Sequence, residues 1–167
     1  MKTCLRFAII AALMVTNVAA ADLSAEQIRA ALKAASPTAP ADFAGKDLSD
    51  LDLSGLDFRK TNLRGASLFA SKLVEANFRE ATLEGANLNG AWLMGTDFTG
   101  ANLSRASLLS VVILGGAVKK MPVFKGTNLS GAKMIADLPG ADLSGADFSG
   151  AMVGVNIKNQ GMGQMRT

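Results

Sequence analysis

Residues 41–110 divide without remainder into fives: ADFAG, KDLSD, LDLSG, LDFRK, TNLRG, ASLFA, SKLVE, ANFRE, ATLEG, ANLNG, AWLMG, TDFTG, ANLSR, ASLLS. Leucine or phenylalanine holds the third place in all fourteen, from Phe43 to Leu108. A helix repeats at about 3.6 residues and a strand at about 2, so neither accounts for a sustained period of five, and a repeat architecture is required. The first place is mostly small, the second mostly Asp, Asn, Ser or Thr, and the fifth often Gly. Residues two apart in an extended segment point the same way, which turns the first and third places inward and the second and fourth outward. The chain must then bend within two residues, where glycine relieves backbone sterics. Each repeat therefore describes one side of a polygonal tube, and the fold class is an all-β solenoid.

This pattern resembles the pentapeptide-repeat family, whose consensus is roughly A(D/N)LXX, over about two-thirds of the chain. The resemblance implies a right-handed quadrilateral β-helix with four repeats per turn. An independent check on the number four comes from Phe58, Phe78 and Phe98, and from Leu48, Leu68, Leu88 and Leu108, which recur every twenty residues and so form columns. In such a tube, stability accumulates turn by turn.

The segments before the array read differently. Lys2 and Arg6 precede an apolar run from Phe7 to Val15, and Val18-Ala19-Ala20 ends it with small residues, the order of a secretory signal peptide over 1–20 cleaved after Ala20. The run is too short to span a bilayer, so no stable membrane anchor is expected after cleavage. Cleavage removes Cys4, the sole cysteine, and lowers the formal charge from +3 to +1. The localisation expected is exported, either periplasmic or secreted.

Residues 21–40 are expected to form a helix and linker. Ser24 and Gln27 make a capping box, with Leu23 and Ile28 as a hydrophobic staple. Ile28, Ala31, Leu32 and Ala35 make one apolar stripe suited to cover the first end of the tube, and Pro37 and Pro40 end the helix. The array is expected to run over 41–153 and to be irregular at about 111–135. There MPVFK keeps an apolar third residue, Gly126 reads as one residue too many, and AKMI is one short. Residues 115–126 read as a distorted turn or an outward loop. A weakly ordered tail is expected over 154–167.

The chemistry available is sparse. The chain has no histidine, and the mature form has no cysteine, so no catalytic residue, metal site or cofactor is assigned and no enzyme is expected. Asp47, Asp52, Asp57, Asp142 and Asp147 recur at the outward second place, which suits bonding to backbone better than holding a cation. Some cytoplasmic members of the family resemble DNA in shape and charge and bind type II topoisomerases. That role needs a strongly acidic surface, which a nearly neutral exported chain does not supply. Nucleic acid is not expected as a partner either.

The reading that follows is a non-catalytic protein-binding or scaffold module of the cell envelope. The alternative is a self-associating structural solenoid with no separate ligand. The candidate surface comes from stacking outward residues at the twenty-residue period. The side centred on Leu53, Leu73, Leu93 and Ile113 carries Asp52, Lys72, Trp92 and Val112 in one outward column, and Ser54, Val74, Met94 and Leu114 in the other. Phe69 and Leu109 adjoin it across a corner. Phe69, Val74, Trp92, Met94, Leu109, Val112 and Leu114 are therefore expected to form an apolar interface for an unidentified protein or a second copy.

Overall fold

The computed structural model describes residues 21–36, 38–113 and 120–156. The expected signal segment, Leu114 and residues 157–167 of the expected tail lie outside the described residues.

Successive turns are joined by parallel bridges between residues twenty apart. Asp42 pairs with Asn62, Asp47 with Ser67, Asp52 with Lys72 and Asp57 with Asn77. Four bridges per turn, five residues apart, make the tube four-sided. At each bridge the central N–H donates to the turn ahead, as from Phe58 to the Asn77 carbonyl at 2.7 Å. The second residue's N–H donates to the turn behind, as from Asn77 to the Leu56 carbonyl at 2.9 Å. Corners close with a bond such as Thr61 N–H to the Phe58 carbonyl, 3.1 Å. The fifth residue bends the chain with a positive φ, of 67° at Gly55 and 54° at Ala70.

The central residues fill the tube as four columns. The first side stacks Phe43, Leu63, Leu83, Leu103 and Leu129, and the second Leu48, Leu68, Leu88, Leu108 and Met134, all buried. The third holds Leu53, Leu73, Leu93 and Ile113, and the fourth Phe58, Phe78, Phe98 and Phe124. Each fully buried residue of this size contributes about 1.5–3 kcal/mol. Phe58 and Phe78 lie parallel with ring centroids 4.7 Å apart, and the stack continues to Phe98 and Phe124 at 5.2 Å per step.

The irregular region departs from the expected register. Asp97 pairs with Val123, not with a residue twenty ahead, so six extra residues enter between Ile113 and Lys120. Phe124, not Val123, is the central residue, and Val123 takes the outward second place. Gly126 is no surplus residue: at φ 62° it is the corner residue of this repeat. The phenylalanine stack explains the choice, because a buried Phe98 ring gains more from Phe124 than from Val123. The extra residues are thus 114–119, which lie outside the described set, and 122–126 form a regular side.

The missing residue after Met134 is where the sequence placed it. Val123 pairs with Asp142 and Asn128 with Asp147, a spacing of nineteen. The shortened corner lets strands lengthen into a three-stranded parallel sheet of β1 (Ser107–Leu109), β2 (Lys133–Asp137) and β3 (Met152–Asn156). Pairing therefore runs to Asn156, so residues 154–156 of the expected tail belong to β3.

At the other end, α1 spans Ala25–Ala34 with Ser24 as N-cap and the capping box formed. Ile28 is fully buried in the core cluster, and Leu23 and Leu32 pack against it. Ala31, expected on the same stripe, is exposed. Asp22 N–H donates to the Asp47 carbonyl at 2.7 Å, tying the helix entry to the first turn.

Candidate interaction surface

The outward second place is held in shape by its own side chain. Asp47, Asp52, Asp57, Asp142 and Asp147 each accept from the N–H two residues on, at 2.9–3.2 Å. This is an Asx turn, the local geometry for which Asp and Asn are selected. The carboxylates therefore serve the backbone. The Ser54 side chain and N–H hold the Asp52 carboxyl below its ordinary range, and the Arg59 guanidinium does the same to Asp57.

On the first and fourth sides the long outward side chains are charged, and most are paired. Glu84 lies between Arg64, at 2.5 Å, and Arg105. Lys60 meets Glu80 at 3.5 Å, and Arg79 meets Asp97 at 3.7 Å.

The second and third sides differ. Lys72 sits between the Asp52 carboxylate, 4.0 Å away, and the Trp92 ring, whose centroid is 6.0 Å from the ammonium. Trp92 is 41% exposed and Phe69 48%, while Val74, Leu109 and Val112 are half-buried. Met94 departs from expectation: it is 3% exposed and so is not surface. The Gly95 N–H beside it bonds to the Lys120 carbonyl, and the Lys120 ammonium reaches Glu75, 3.5 Å away, two turns down. The Lys120 stem must therefore cross the turn that carries Met94.

Three further exposed residues escaped the sequence reading: Ile135 at 55%, Met152 at 63% and Val153. Ile135 follows Leu109 in its outward column, as the pairing of Leu109 with Ile135 shows. Their signal was available once Phe124 was taken as central, since that fixes the phase of the later turns. All five exposed large apolar side chains among the described residues thus lie on the second side or next to it on the third.

The family model for pentapeptide repeats, in eight copies, matches residues 41–69, 62–100, 71–109 and 136–153. The chain belongs to the pentapeptide-repeat family. Pentapeptide-repeat proteins fold as right-handed quadrilateral β-helices, the architecture built above from bridges and columns. Among solved structures, the chain is similar to a pentapeptide-repeat protein of the Arabidopsis thaliana thylakoid lumen, at 30% identity over 77% of each chain and a TM-score of 0.46. It is also similar to a pentapeptide-repeat protein of Nostoc PCC 7120, at 23% identity over 70% of this chain and 87% of that one, TM-score 0.44. A third likeness is to trypsin-treated QnrB1, a plasmid-mediated fluoroquinolone resistance protein, at 19% identity over 68% and 79% of the two chains, TM-score 0.27. No curated protein matches the chain.

Proposed function

We propose that this pentapeptide-repeat protein is an exported, non-catalytic protein-binding or scaffold module of the cell envelope. Supporting this reading is the one-sidedness of its surface. Exposed Phe69, Trp92, Ile135 and Met152 share two adjoining sides, while the other two carry paired charges. Contiguous exposed apolar area of this kind marks interaction sites, and tryptophan is enriched where binding energy concentrates. The interface comprises Phe69, Trp92, Leu109 and Val112, with Val74 beneath them. In this reading α1 is the cap of the N-terminal end, and residues 1–20 direct export.

Two experiments test it. Mature protein and a Phe69→Glu/Trp92→Glu variant are used as baits in the exported fraction of the native cell. A protein retained by the first and lost by the second supports the reading; identical retention by both contradicts it. N-terminal sequencing of the exported form is expected to begin at Ala21 or Asp22, and an intact Met1 on cytoplasmic protein would overturn the localisation.

The self-associating alternative draws support from β3, an edge strand whose own Met152 and Val153 are exposed. In that case the particle mass falls on dilution with no other protein present.

A further inference from the structure

Among the described residues, the fourth side of the first turn lacks a neighbour that the same side has higher up. Around Phe124, Val123 N–H donates to the Thr96 carbonyl at 2.9 Å, and the Val123 carbonyl accepts from Phe98 N–H at 2.8 Å. The Lys125 carbonyl accepts from Gly100 N–H at 2.9 Å, and the Thr127 hydroxyl donates to the Phe98 carbonyl at 2.8 Å. Four groups of one side thus grip the extended segment Thr96–Gly100.

Their counterparts on the first turn are the Asp57 N–H and carbonyl, the Arg59 carbonyl and the Thr61 hydroxyl. None of the four has a hydrogen-bond partner among the described residues, although Thr61 is only 2% exposed. Every fully enclosed side-chain polar atom among the described residues has a partner, so the Thr61 hydroxyl opens on the groove it lines, where a ligand carbonyl can accept from it in place of water. By sequence phase residues 36–40 belong in the empty place. Instead Ser36 and Ala39 bond to each other, at 3.0 and 3.1 Å. The second and third sides are served by the helical segment, through Asp22 on Asp47 and the Arg29 guanidinium on the Asp52 carbonyl. The fourth side faces a groove of about 320 Å³ whose far wall is Leu32, Ala35 and Pro40.

The charges at the rim are paired, Arg59 with Asp57 at 2.6 Å and Lys60 with Glu80. A free anion or cation gains little there. What the groove offers is backbone hydrogen bonding beside an apolar wall.

We propose that this groove binds an extended polypeptide segment of another protein, which adds to the fourth side as its missing strand. The segment supplies carbonyls to Asp57 N–H and the Thr61 hydroxyl, and N–H groups to the Asp57 and Arg59 carbonyls. Its small or apolar side chain lies on Leu32, Ala35 and Pro40. The site is separate from the Trp92 surface and stands or falls without it.

The probe is the acetylated, amidated pentapeptide Thr-Asp-Phe-Thr-Gly, the segment the chain already grips at 96–100, titrated into the ¹⁵N-labelled full chain. The Asp57 and Thr61 amide resonances are expected to move saturably, and exchange of the Asp57 N–H to slow by about tenfold. Thr61→Val, checked for folding by circular dichroism, is expected to weaken the peptide about fivefold, one ordinary hydrogen bond, with Thr61→Ser restoring it. Unmoved Asp57 and Thr61 resonances, or undiminished binding by a folded Thr61→Val, overturn the site. Slow exchange at Asp57 before any peptide is added also overturns the assignment to another protein. Independence of concentration would then mark the chain's own residues 1–20 as the occupant, and dependence on it a second copy.

Discussion

The Asn89 side-chain oxygen accepts a hydrogen bond from the Leu109 N–H, one turn above, at 2.8 Å. Where the second place is Asp or Asn, that side chain takes the fourth-place N–H of its own repeat, as Asn102 takes that of Ser104 at 3.1 Å. The repeat of Leu109 has Ser107 in that place, whose shorter side chain instead donates to Asn89 at 2.7 Å. Asn89→Ala leaves the half-buried Leu109 N–H without its acceptor and is expected to cost about 1–2 kcal/mol. Asn89→Asp keeps an acceptor and is expected to stay within about 0.5 kcal/mol. Urea unfolding of the two variants separates these outcomes; equal losses would contradict the bond's role.

Phe98 sits in the middle of the aromatic stack, 5.2 Å from the rings on either side. Phe98→Ala empties one layer of the fourth column and is expected to cost about 3–5 kcal/mol. Because stability in a solenoid is summed over neighbouring turns, the unfolding transition is also expected to broaden or split. A single unshifted thermal transition would show that the stack is not where the turns cohere.

Ala70 bends a corner at φ 54°, a conformation that its Cβ disfavours. Ala70→Gly removes that conflict and adds unfolded-state entropy, two effects of opposite sign. The net expectation is a gain of about 0.5–1 kcal/mol, with Ala70→Val changing stability in the other direction. Thermal melting decides the order.

The period of five was legible because the central residue faces a confined core in every turn, so chance variation is suppressed at Leu88 or Phe98 but not outside. The helix was legible from the Ser24–Gln27 box for a similar local reason. Other features depend on contacts between turns, which no single repeat encodes. Val123 and Phe124 are both apolar, and only stacking on Phe98 selects between them. Met94 occupies an outward place but is buried beside Gly95, whose N–H bonds to Lys120, a residue that the period of twenty does not bring there. Ile135 and Met152 were missed because their exposure follows from that corrected phase and from the short corner after Met134.

Stability is expected to depend on pH through three aspartates. Asp57 is held low by Arg59, and Asp52 and Asp142 by Ser54 and Ser144. A carboxyl whose folded value lies below its unfolded one contributes stability that is fully present above the unfolded value, near 3.8. That contribution is lost as pH falls through the folded value. Melting temperature should therefore be flat from neutral pH down to the carboxylate range and fall below it. Asp57→Asn is expected to flatten the acid limb slightly, since this pair is largely solvent-screened. An acid limb unchanged in Asp57→Asn would remove Asp57 from the account.

The claim that the second and third sides form the binding surface is tested most directly by photo-cross-linking in the native cell. A photoreactive amino acid is placed singly at Phe69, Trp92 and Ile135, and at Thr82 and Thr99 on the first and fourth sides as controls. One discrete adduct with another protein is expected from the first three positions and none from the controls. Adducts of equal yield from all five positions, or none from Phe69, Trp92 and Ile135, would contradict it.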